Sequence, residues 1–200
     1  MRLTADRGGE RLRLIADGGG EPAGPTADEL AGIVDLFGWL TPEELANACE
    51  ELAFRGGEEL EDLDGAVETA IEEYALVTTT IDDVSPDGDE SPDDDDSSDD
   101  DESSLTDVTA LHDRSAVIAG PAAFPVLPDG AEDLPHILDV PGREVDRETV
   151  GNDVCENLLA EAEKVEPETE RAAVLREISY DLEAWAPVDA SAVRERLEGD

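Results

Sequence analysis

The stretch Leu76-Val77-Thr78-Thr79-Thr80-Ile81 decides the fold, because helical periodicity precedes it and the first predicted strand lies within it. All its residues after Leu76 are β-branched, and such side chains favour the pleated surface of a sheet over a helix. A second segment of this kind, Ser115–Ala119, follows after an acidic interval. The sequence therefore predicts two strands that pair as a hairpin, with the acidic interval looped out between them.

Three helices are predicted before the first strand, and two of them begin with strong capping signals. Thr26 with Glu29, and Thr41 with Glu44, form capping boxes in which hydroxyl and carboxylate each satisfy a free backbone N–H. Pro42 strengthens the second start, since proline suits the first position of a helix. The predicted buried stripes are Leu30, Ile33, Val34 and Phe37 in the first helix, Leu45, Cys49 and Leu52 in the second, and Val67, Ile71 and Tyr74 in the third, which spans 64–74.

The last third of the chain is predicted to be helical again, after an extended region broken by prolines. The extended parts are residues 124–127, the turn Pro128-Asp129-Gly130, and residues 136–140. Asp146 caps the next helix, and Asp189 caps a short final one. The helix after Asp146 has the apolar face Val150, Val154, Leu158 and Ala162. Pro167 begins the following helix, Pro187 ends it, and its apolar residues are Leu175, Ile178, Leu182 and Trp185. Staple pairs flank the first and last of these helices, Val145 with Val150 and Val188 with Val193.

We therefore predict an α+β fold in which an N-terminal three-helix unit with a β-hairpin is followed by a C-terminal helical part. Three helices and then a hairpin is the element order of a winged helix, so the N-terminal unit is winged-helix-like by layout. We expect the two parts to pack together. The predicted divisions are a flexible N-terminal tail (1–25), winged-helix-like helices with the first hairpin strand (26–81), a disordered acidic insertion (82–104), the second strand with a proline-rich extended connector (105–145), and the C-terminal helices (146–198).

The composition is acidic enough to indicate a salt-rich environment. The 200-residue chain has 55 acidic and 13 basic residues, a formal net charge of −42, and a single lysine, Lys164. Such a charge destabilises a compact chain by self-repulsion, and a Debye length of about 3 Å at 1 M salt removes most of that repulsion. Because the acidic residues extend along the whole chain and not only through 82–102, the sequence predicts a halophilic protein.

The sequence also predicts a cytoplasmic protein that has no membrane partner. No stretch has the roughly 20 apolar residues that cross a bilayer, and the first residues lack the apolar core of a signal peptide. Cys49 and Cys155 lie on different predicted helices. In a cytosolic chain this arrangement indicates reduced, buried thiols and not a disulfide.

Four peptides of the chain are specific enough to indicate a family. They are 26–32 (TADELAG), 120–125 (GPAAFP), 133–140 (DLPHILDV) and 179–187 (SYDLEAWAP). Together they resemble a family of uncharacterised haloarchaeal proteins, over most of the chain from Thr26 onward. The first 25 residues and the acidic run look like additions to the family pattern. The resemblance implies a source and domain limits, and it implies no activity.

DNA binding is one functional interpretation, because a winged helix places its third helix in the major groove. Here the third helix and its approach are acidic, and Arg55 is the only cation near them in the sequence. Phosphate contacts need lysine or arginine, so DNA is an alternative partner that the sequence does not favour. A cluster on one folded face of Arg143, Arg147, Arg171, Arg176, Arg194 and Arg196 would favour nucleic acid.

Binding to another protein is the interpretation that we prefer. Winged-helix scaffolds also bind proteins, and the prolines and apolar residues of 124–127 are suited to form an exposed groove or edge. The competing structural interpretation is a connector that packs on the core. An exposed apolar patch on the folded chain would favour a protein partner.

The sequence assigns no catalytic, cofactor-binding or metal-binding residue. His112 and His136 lack partners at zinc-ligand spacing, and we find no phosphate loop and no nucleophile elbow. A deep pocket lined by either histidine would favour catalysis. Partial matches to a calcium-binding loop occur at Asp83, Ser85, Asp87, Gly88 and Asp94, but Pro86 and Glu90 do not fit such a loop.

We therefore predict a regulatory or adaptor protein that acts through protein–protein contacts and uses no cofactor. The partner's identity is not given by the sequence. The alternatives are a DNA-binding transcriptional regulator of winged-helix type and an enzyme of unknown type.

The net charge predicts that salt stabilises the folded chain. Between about 0.1 M and about 2 M KCl we expect the midpoint of thermal unfolding to rise steadily, because screening removes repulsion among the carboxylates. Far-ultraviolet circular dichroism across a KCl series measures this midpoint. A midpoint that does not depend on KCl would contradict the prediction.

Overall fold

The computed structural model describes residues 24–57, 59–81 and 115–198. Within them, helices surround a three-stranded antiparallel sheet, so the predicted α+β class is confirmed. In chain order the elements are α1 (Ala27–Asp35), β1 (Trp39–Leu40), α2 (Pro42–Gly56), α3 (Leu63–Glu72), β2 (Leu76–Thr80), β3 (Ser115–Ala119), a 3-10 turn (Ala131–Asp133), α4 (Leu134–Leu138), α5 (Arg147–Ala162), α6 (Glu170–Trp185) and α7 (Ser191–Glu198).

β3 is the central strand of the sheet and pairs with both of the others. The strand order is β1-β3-β2, and both pairs are antiparallel. The register places Leu76 opposite Ala119 and Val77 opposite Ile118. The predicted hairpin is therefore confirmed, although its first strand ends at Thr80, one residue earlier than predicted.

Both faces of the central strand β3 are buried, and each face of the sheet has its own layer of helices. On one face Leu76 and Val117 pack against α1, α2 and α3. On the other face Val77 and Ile118 pack against α5, α6 and α7. Because side chains alternate along a strand, consecutive residues of β3 contribute to the two cores in turn. The two helical parts of the chain thus share one sheet.

The helix starts follow the capping signals of the sequence. Thr26 and Thr41 each accept a hydrogen bond from the backbone N–H three residues later, and the carboxylates of Glu29 and Glu44 accept one from the threonine N–H. Asp146 accepts hydrogen bonds from two backbone N–H groups at the start of α5. The predicted capping residues of α1, α2 and α5 are therefore confirmed.

Two prolines have roles other than those predicted. Residues 136–140 are not simply extended, because α4 covers much of this segment and its first turn accommodates Pro135, which has no backbone N–H to donate. Pro167 does not open α6, which begins after Thr169. The Thr169 hydroxyl accepts a backbone N–H of the first turn, a contact that proline cannot make.

Two further differences concern the ends of the N-terminal elements. The sequence did not predict β1, because two residues are too few to display a strand period; β1 forms where the free edge of β3 offers backbone partners. The third helix ends at Glu72 and not at Tyr74. Tyr74 adopts a left-handed backbone conformation with φ of 59°, which no α-helix continues.

Parts of the predicted organisation lie outside the described residues. The acidic insertion (82–104) and the tail (1–25), except for Gly24 and Pro25, belong to these parts. The predicted division of the chain stays a prediction. In the described part of the chain, no helix has the length and the apolar character that crossing a bilayer requires. The cytoplasmic location also stays a prediction.

Arg143 lies in the chain that leads into α5, and its side chain binds the N-terminal unit. Its guanidinium donates two hydrogen bonds of 2.6 Å to the Glu44 carboxylate, donates one of 3.1 Å to the Trp39 carbonyl, and lies 4.0 Å from the centre of the Trp39 ring. The hydrogen bonds from Arg143 hold the pKa of Glu44 below its usual value. Gly38 makes this approach possible, because a β-carbon there would overlap the Arg143 carbonyl.

Replacement of Gly38 tests this close approach. Gly38 and Gly57 both have positive φ, of 84° and 68°, but only Gly38 has a neighbour that a β-carbon would meet. We expect Gly57→Ala to cost about 1–2 kcal/mol from backbone strain alone. Gly38→Ala should cost about 1–3 kcal/mol more, because the connector must also shift. Urea unfolding at constant KCl measures both, and equal losses in the two variants would contradict the proposed contact.

Candidate functional site

The connector that follows β3 crosses α1 and is held there through its backbone. The Val126 N–H donates to the Asp28 carbonyl at 2.9 Å, and the Phe124 N–H donates to the Asp28 carboxylate at 3.0 Å. Gly32 permits the crossing, because a β-carbon at that position would overlap the Val126 carbonyl. The backbone of residues 124–127 is thus fixed to a helix that is itself part of the core.

This attachment leaves apolar side chains of the connector in solvent. Phe124 is 77% exposed, Val126 52% and Leu127 44%. Single exposed apolar residues are ordinary on a monomer, whereas three within four residues concentrate exposed apolar surface in one segment, which is typical of binding surfaces. Both interpretations of this segment therefore hold in part: its backbone packs on the fold as a connector does, while its side chains form the exposed edge predicted from the sequence.

A groove of about 650 Å³, which we call the connector groove, is lined by Val126 and Leu127 of this segment and not by Phe124. It lies between α1, α2, residues 59–61 and the connector. Among the described residues that line it there is no basic side chain. The apolar lining residues are Ile33, Cys49, Leu52, Ala53, Leu60, Val126, Leu127 and Pro128, and the acidic ones are Glu29, Glu59, Glu61 and Asp129. The groove lining thus combines apolar side chains with acidic ones, and we call the acidic side chains its acidic rim.

Cys49 lies in the wall of the groove, where its thiol keeps its proton. Burial, together with the nearby Glu50 carboxylate, raises the pKa of its thiol to about 12. The thiol therefore stays protonated at neutral pH, and it is the thiolate that reacts. Cys49 and Cys155 are both free. Cys155 is only partly buried, so the prediction of buried thiols holds for Cys49 alone.

A second cavity, of about 600 Å³, lies where the turn after α3 meets α5 and α6. Three side chains of its lining form a connected polar cluster. The Tyr74 hydroxyl donates to one Glu161 carboxylate oxygen at 2.9 Å, and the Arg171 guanidinium donates to the other at 2.6 Å. Arg171 also donates to the Glu72 carbonyl at 3.0 Å. The cluster therefore links the turn after α3 to both long C-terminal helices.

The pKa shifts in this cluster indicate that its side chains connect elements of the fold. Burial raises the pKa of Tyr74, and the hydrogen bond to Glu161 adds to the shift, so the phenol keeps its proton. Burial also acts to raise the pKa of Glu161, but the hydrogen bonds from Arg171 and Tyr74 outweigh it and hold that pKa below its usual value. The carboxylate is thus ionised and already bonded on both oxygens. It is not poised to act as a general base.

Of the two histidines in the sequence, His136 lies within the described residues. His136 is exposed on α4 and lines neither cavity. His112 and the partial calcium-loop match at residues 83–94 lie outside the described residues. Within the ranges described, no group of three or more histidine, cysteine, aspartate or glutamate side chains is placed to hold a metal ion.

The six arginines that the nucleic-acid interpretation requires are each bound within the fold. Three form ion pairs, Arg143 with Glu44, Arg171 with Glu161, and Arg194 with Glu183 at 2.7 Å. Arg147 lies 4.9 Å from the centre of the Trp185 ring, and Arg176 and Arg196 donate to the carbonyls of Leu197 and Glu163. These contacts use the guanidinium groups that phosphates would need.

Sequence reasoning located one side of the connector groove and missed the other. It identified residues 124–127 but not residues 59–61. The available signal was Leu60, a single apolar residue between acidic ones. It also missed the cluster of Tyr74, Glu161 and Arg171, since these residues are far apart in the sequence and only the packing of α5 and α6 against the sheet joins them.

Comparison with known proteins identifies a family and no activity. A family model described as "Family of unknown function (DUF7109)" matches residues 28–200. No curated protein and no solved structure matches the chain. The match confirms the resemblance to an uncharacterised family, while a haloarchaeal origin stays a prediction. The matched region contains nearly all the residues that line the connector groove.

Glu161→Gln tests the link between the layers. At neutral pH we expect the free energy of unfolding to fall by about 1 kcal/mol, because Arg171 is partly exposed and solvent weakens the pair. The folded-state pKa of Glu161 is lowered from its ordinary value of 4.5. Its contribution is therefore present above that value and is lost as the pH falls through the folded-state pKa.

The loss caused by Glu161→Gln should accordingly shrink in acid. Urea unfolding at a series of pH values and constant KCl measures it. Glu156→Gln is the control, since Glu156 is exposed on the same helix and the change of charge is identical. A loss for Glu161→Gln that matches the control at every pH would show that the cluster adds nothing.

Proposed function

We propose that this chain, which belongs to DUF7109, a family of unknown function, acts as a regulatory or adaptor protein. It binds another protein through the connector groove and the side chains of residues 124–127. The observation that carries the proposal is the combination of a backbone fixed on α1 with Phe124, Val126 and Leu127 in solvent. The setting that we propose is the salt-rich cytoplasm that the composition predicts.

The fixed backbone matters because binding costs least when the binding surface is already ordered. An apolar side chain held on a rigid element loses little conformational entropy in a complex. Complete burial of a fully exposed apolar side chain is worth about 1.5–3 kcal/mol, and burial of the exposed parts of Phe124, Val126 and Leu127 supplies a share of this at each residue. A few such side chains around a groove are the arrangement in which most of the energy of a protein interface is concentrated.

A high salt concentration also favours a protein partner that binds through apolar contacts. In molar salt the Debye length is about 3 Å, so attraction between charged surfaces contributes little to binding. Apolar burial does not depend on charge. A protein adapted to such salt would therefore recognise its partner mainly through apolar contacts, for which the connector groove provides the surface.

The layout of the N-terminal unit is compatible with this function. The order α1, β1, α2, α3, β2, β3 is that of a winged helix, and winged-helix scaffolds bind proteins as well as DNA. The described surface of α3 exposes Asp64, Glu68 and Glu72, which a DNA backbone would repel. This acidity and the arginine contacts described above favour a protein over DNA.

A pull-down at molar KCl with matched variants tests the proposal. The test variant carries Val126→Asp and Leu127→Asp, which place charge at two exposed positions and should leave the fold intact. The control is Ile137→Asp, at an exposed apolar residue of α4 that does not line the groove. We expect the wild type and the control to retain one partner protein, and the double variant to lose it at least about tenfold.

Two outcomes would contradict the proposal. A partner that is retained equally by all three proteins would place the binding surface elsewhere. Recovery of genomic DNA with a shared sequence, and of no protein, would favour the DNA-binding alternative. Circular dichroism of each variant at the same KCl concentration ensures that a loss of binding is not a loss of folding.

A further inference from the structure

The connector groove lies at the point where the described chain begins. Gly24 and Pro25, the first two described residues, form part of its wall. The 23 residues that precede them are therefore tethered directly to the groove. Any short segment among them with suitable chemistry reaches it without diffusing from solution.

Such a segment is present in residues 11–15, whose sequence is Arg11-Leu12-Arg13-Leu14-Ile15. It contains two arginines, three large apolar residues and no acidic residue. The groove has the complementary composition, with an apolar lining and the carboxylates of Glu29, Glu59, Glu61 and Asp129 around it. In a chain with 55 acidic and 13 basic residues, this is a marked local reversal of charge.

We propose that residues 11–15 bind in the connector groove of the same chain. Leu12, Leu14 and Ile15 supply apolar surface for the groove lining, and the arginines lie near the acidic rim. In molar salt the apolar contacts dominate, whereas at lower salt the charge pairs strengthen the association.

The tether is long enough for this contact. Eight residues, 16–23, separate Ile15 from Gly24, and an extended chain spans about 3.3–3.6 Å per residue, which gives a reach of up to about 30 Å. Three of the eight are the consecutive glycines 18–20, which place few steric limits on the path of the chain. The effective concentration of a segment on such a short tether is on the order of millimolar.

This inference extends the proposed function and gives the groove an internal regulator. A bound segment competes with a partner protein for the same apolar surface. With an effective concentration on the order of 1 mM, a segment that binds with a dissociation constant of about 0.1 mM would weaken partner binding about tenfold. The family match covers 28–200 and so includes most of the groove but not the segment. Residues 11–15 would then compete with a partner protein for a groove that lies mostly within the family match, although the segment itself lies outside it.

Paramagnetic relaxation in the full chain tests the contact without any partner. A nitroxide is attached at Ala16→Cys in a Cys155→Ser background. Cys49 is left in place, since its buried, protonated thiol does not compete for the label. We expect the label to broaden the amide signals of Leu52, Ala53 and Leu60 strongly, and those of α7 little.

Comparison of variants separates binding from mere proximity of the tether. Leu14→Asp with Ile15→Asp should reduce the broadening at the groove several-fold, and Leu60→Asp in the groove should do the same. Leu3→Asp with Thr4→Asp is the matched control, because it adds the same two negative charges to the tail outside the segment and should leave the broadening unchanged. Equal broadening in the wild type and the Leu14→Asp, Ile15→Asp variant would overturn the inference.

The two proposals fail separately. If the broadening does not depend on Leu14 and Ile15 while the pull-down shows a partner at the groove, only the internal contact is wrong. If the broadening depends on them and no partner is found, the groove binds its own segment and the adaptor function is wrong. If both hold, the Leu14→Asp, Ile15→Asp variant should bind the partner about tenfold more tightly than the wild type.

Discussion

Burial of β3 on both faces is the constraint on which the rest of the structure depends. Ala116 and Ile118 point into the core formed with α5, α6 and α7, while Val117 and Ala119 point into the core formed with α1, α2 and α3. A strand in this position cannot slip by one residue, because a slip would exchange the two sets of side chains between the cores. The single strand therefore fixes how the two helical layers face each other.

The connector takes its course from this arrangement. After β3 the chain must pass around the N-terminal helices before α5 can begin on the other side of the sheet. It does so in close contact, at Gly32 by residue 126 and at Gly38 by residue 143, where only glycine leaves room for the backbone. Because the contact is made by the backbone and by Arg143, the side chains of residues 124–127 are free to face solvent. The groove that we propose as a binding surface thus forms because the connector crosses α1, and both the connector and α1 are part of the fold.

Scarcity of cations shapes the rest of the surface. The arginines described in the C-terminal half neutralise specific carboxylates, stack on Trp39, Trp185 and Tyr180, or cap carbonyls at helix ends. Arg143, Arg171 and Arg194 each bind a carboxylate and lie over an aromatic ring, a combination that an ammonium group makes less well. In this acidic chain the described positive charge is largely used to hold the layers together. Arg11 and Arg13, which precede the described residues, are then of interest as ligands for the acidic rim.

The sequence by itself determined the local structure: the capped starts of α1, α2 and α5, the two strands of the hairpin, and the α+β class. These follow from hydrogen bonds and periodicities within a few residues, which a linear pattern records. It also located residues 124–127 as a candidate binding edge. Only the tertiary structure decided that β1 joins the sheet, that Leu60 lines the same groove as Val126 and Leu127, and that Tyr74 meets Glu161 and Arg171. These contacts join residues far apart in the chain, and they exist because two helical layers must each cover one face of the same strand; no short-range pattern carries that information.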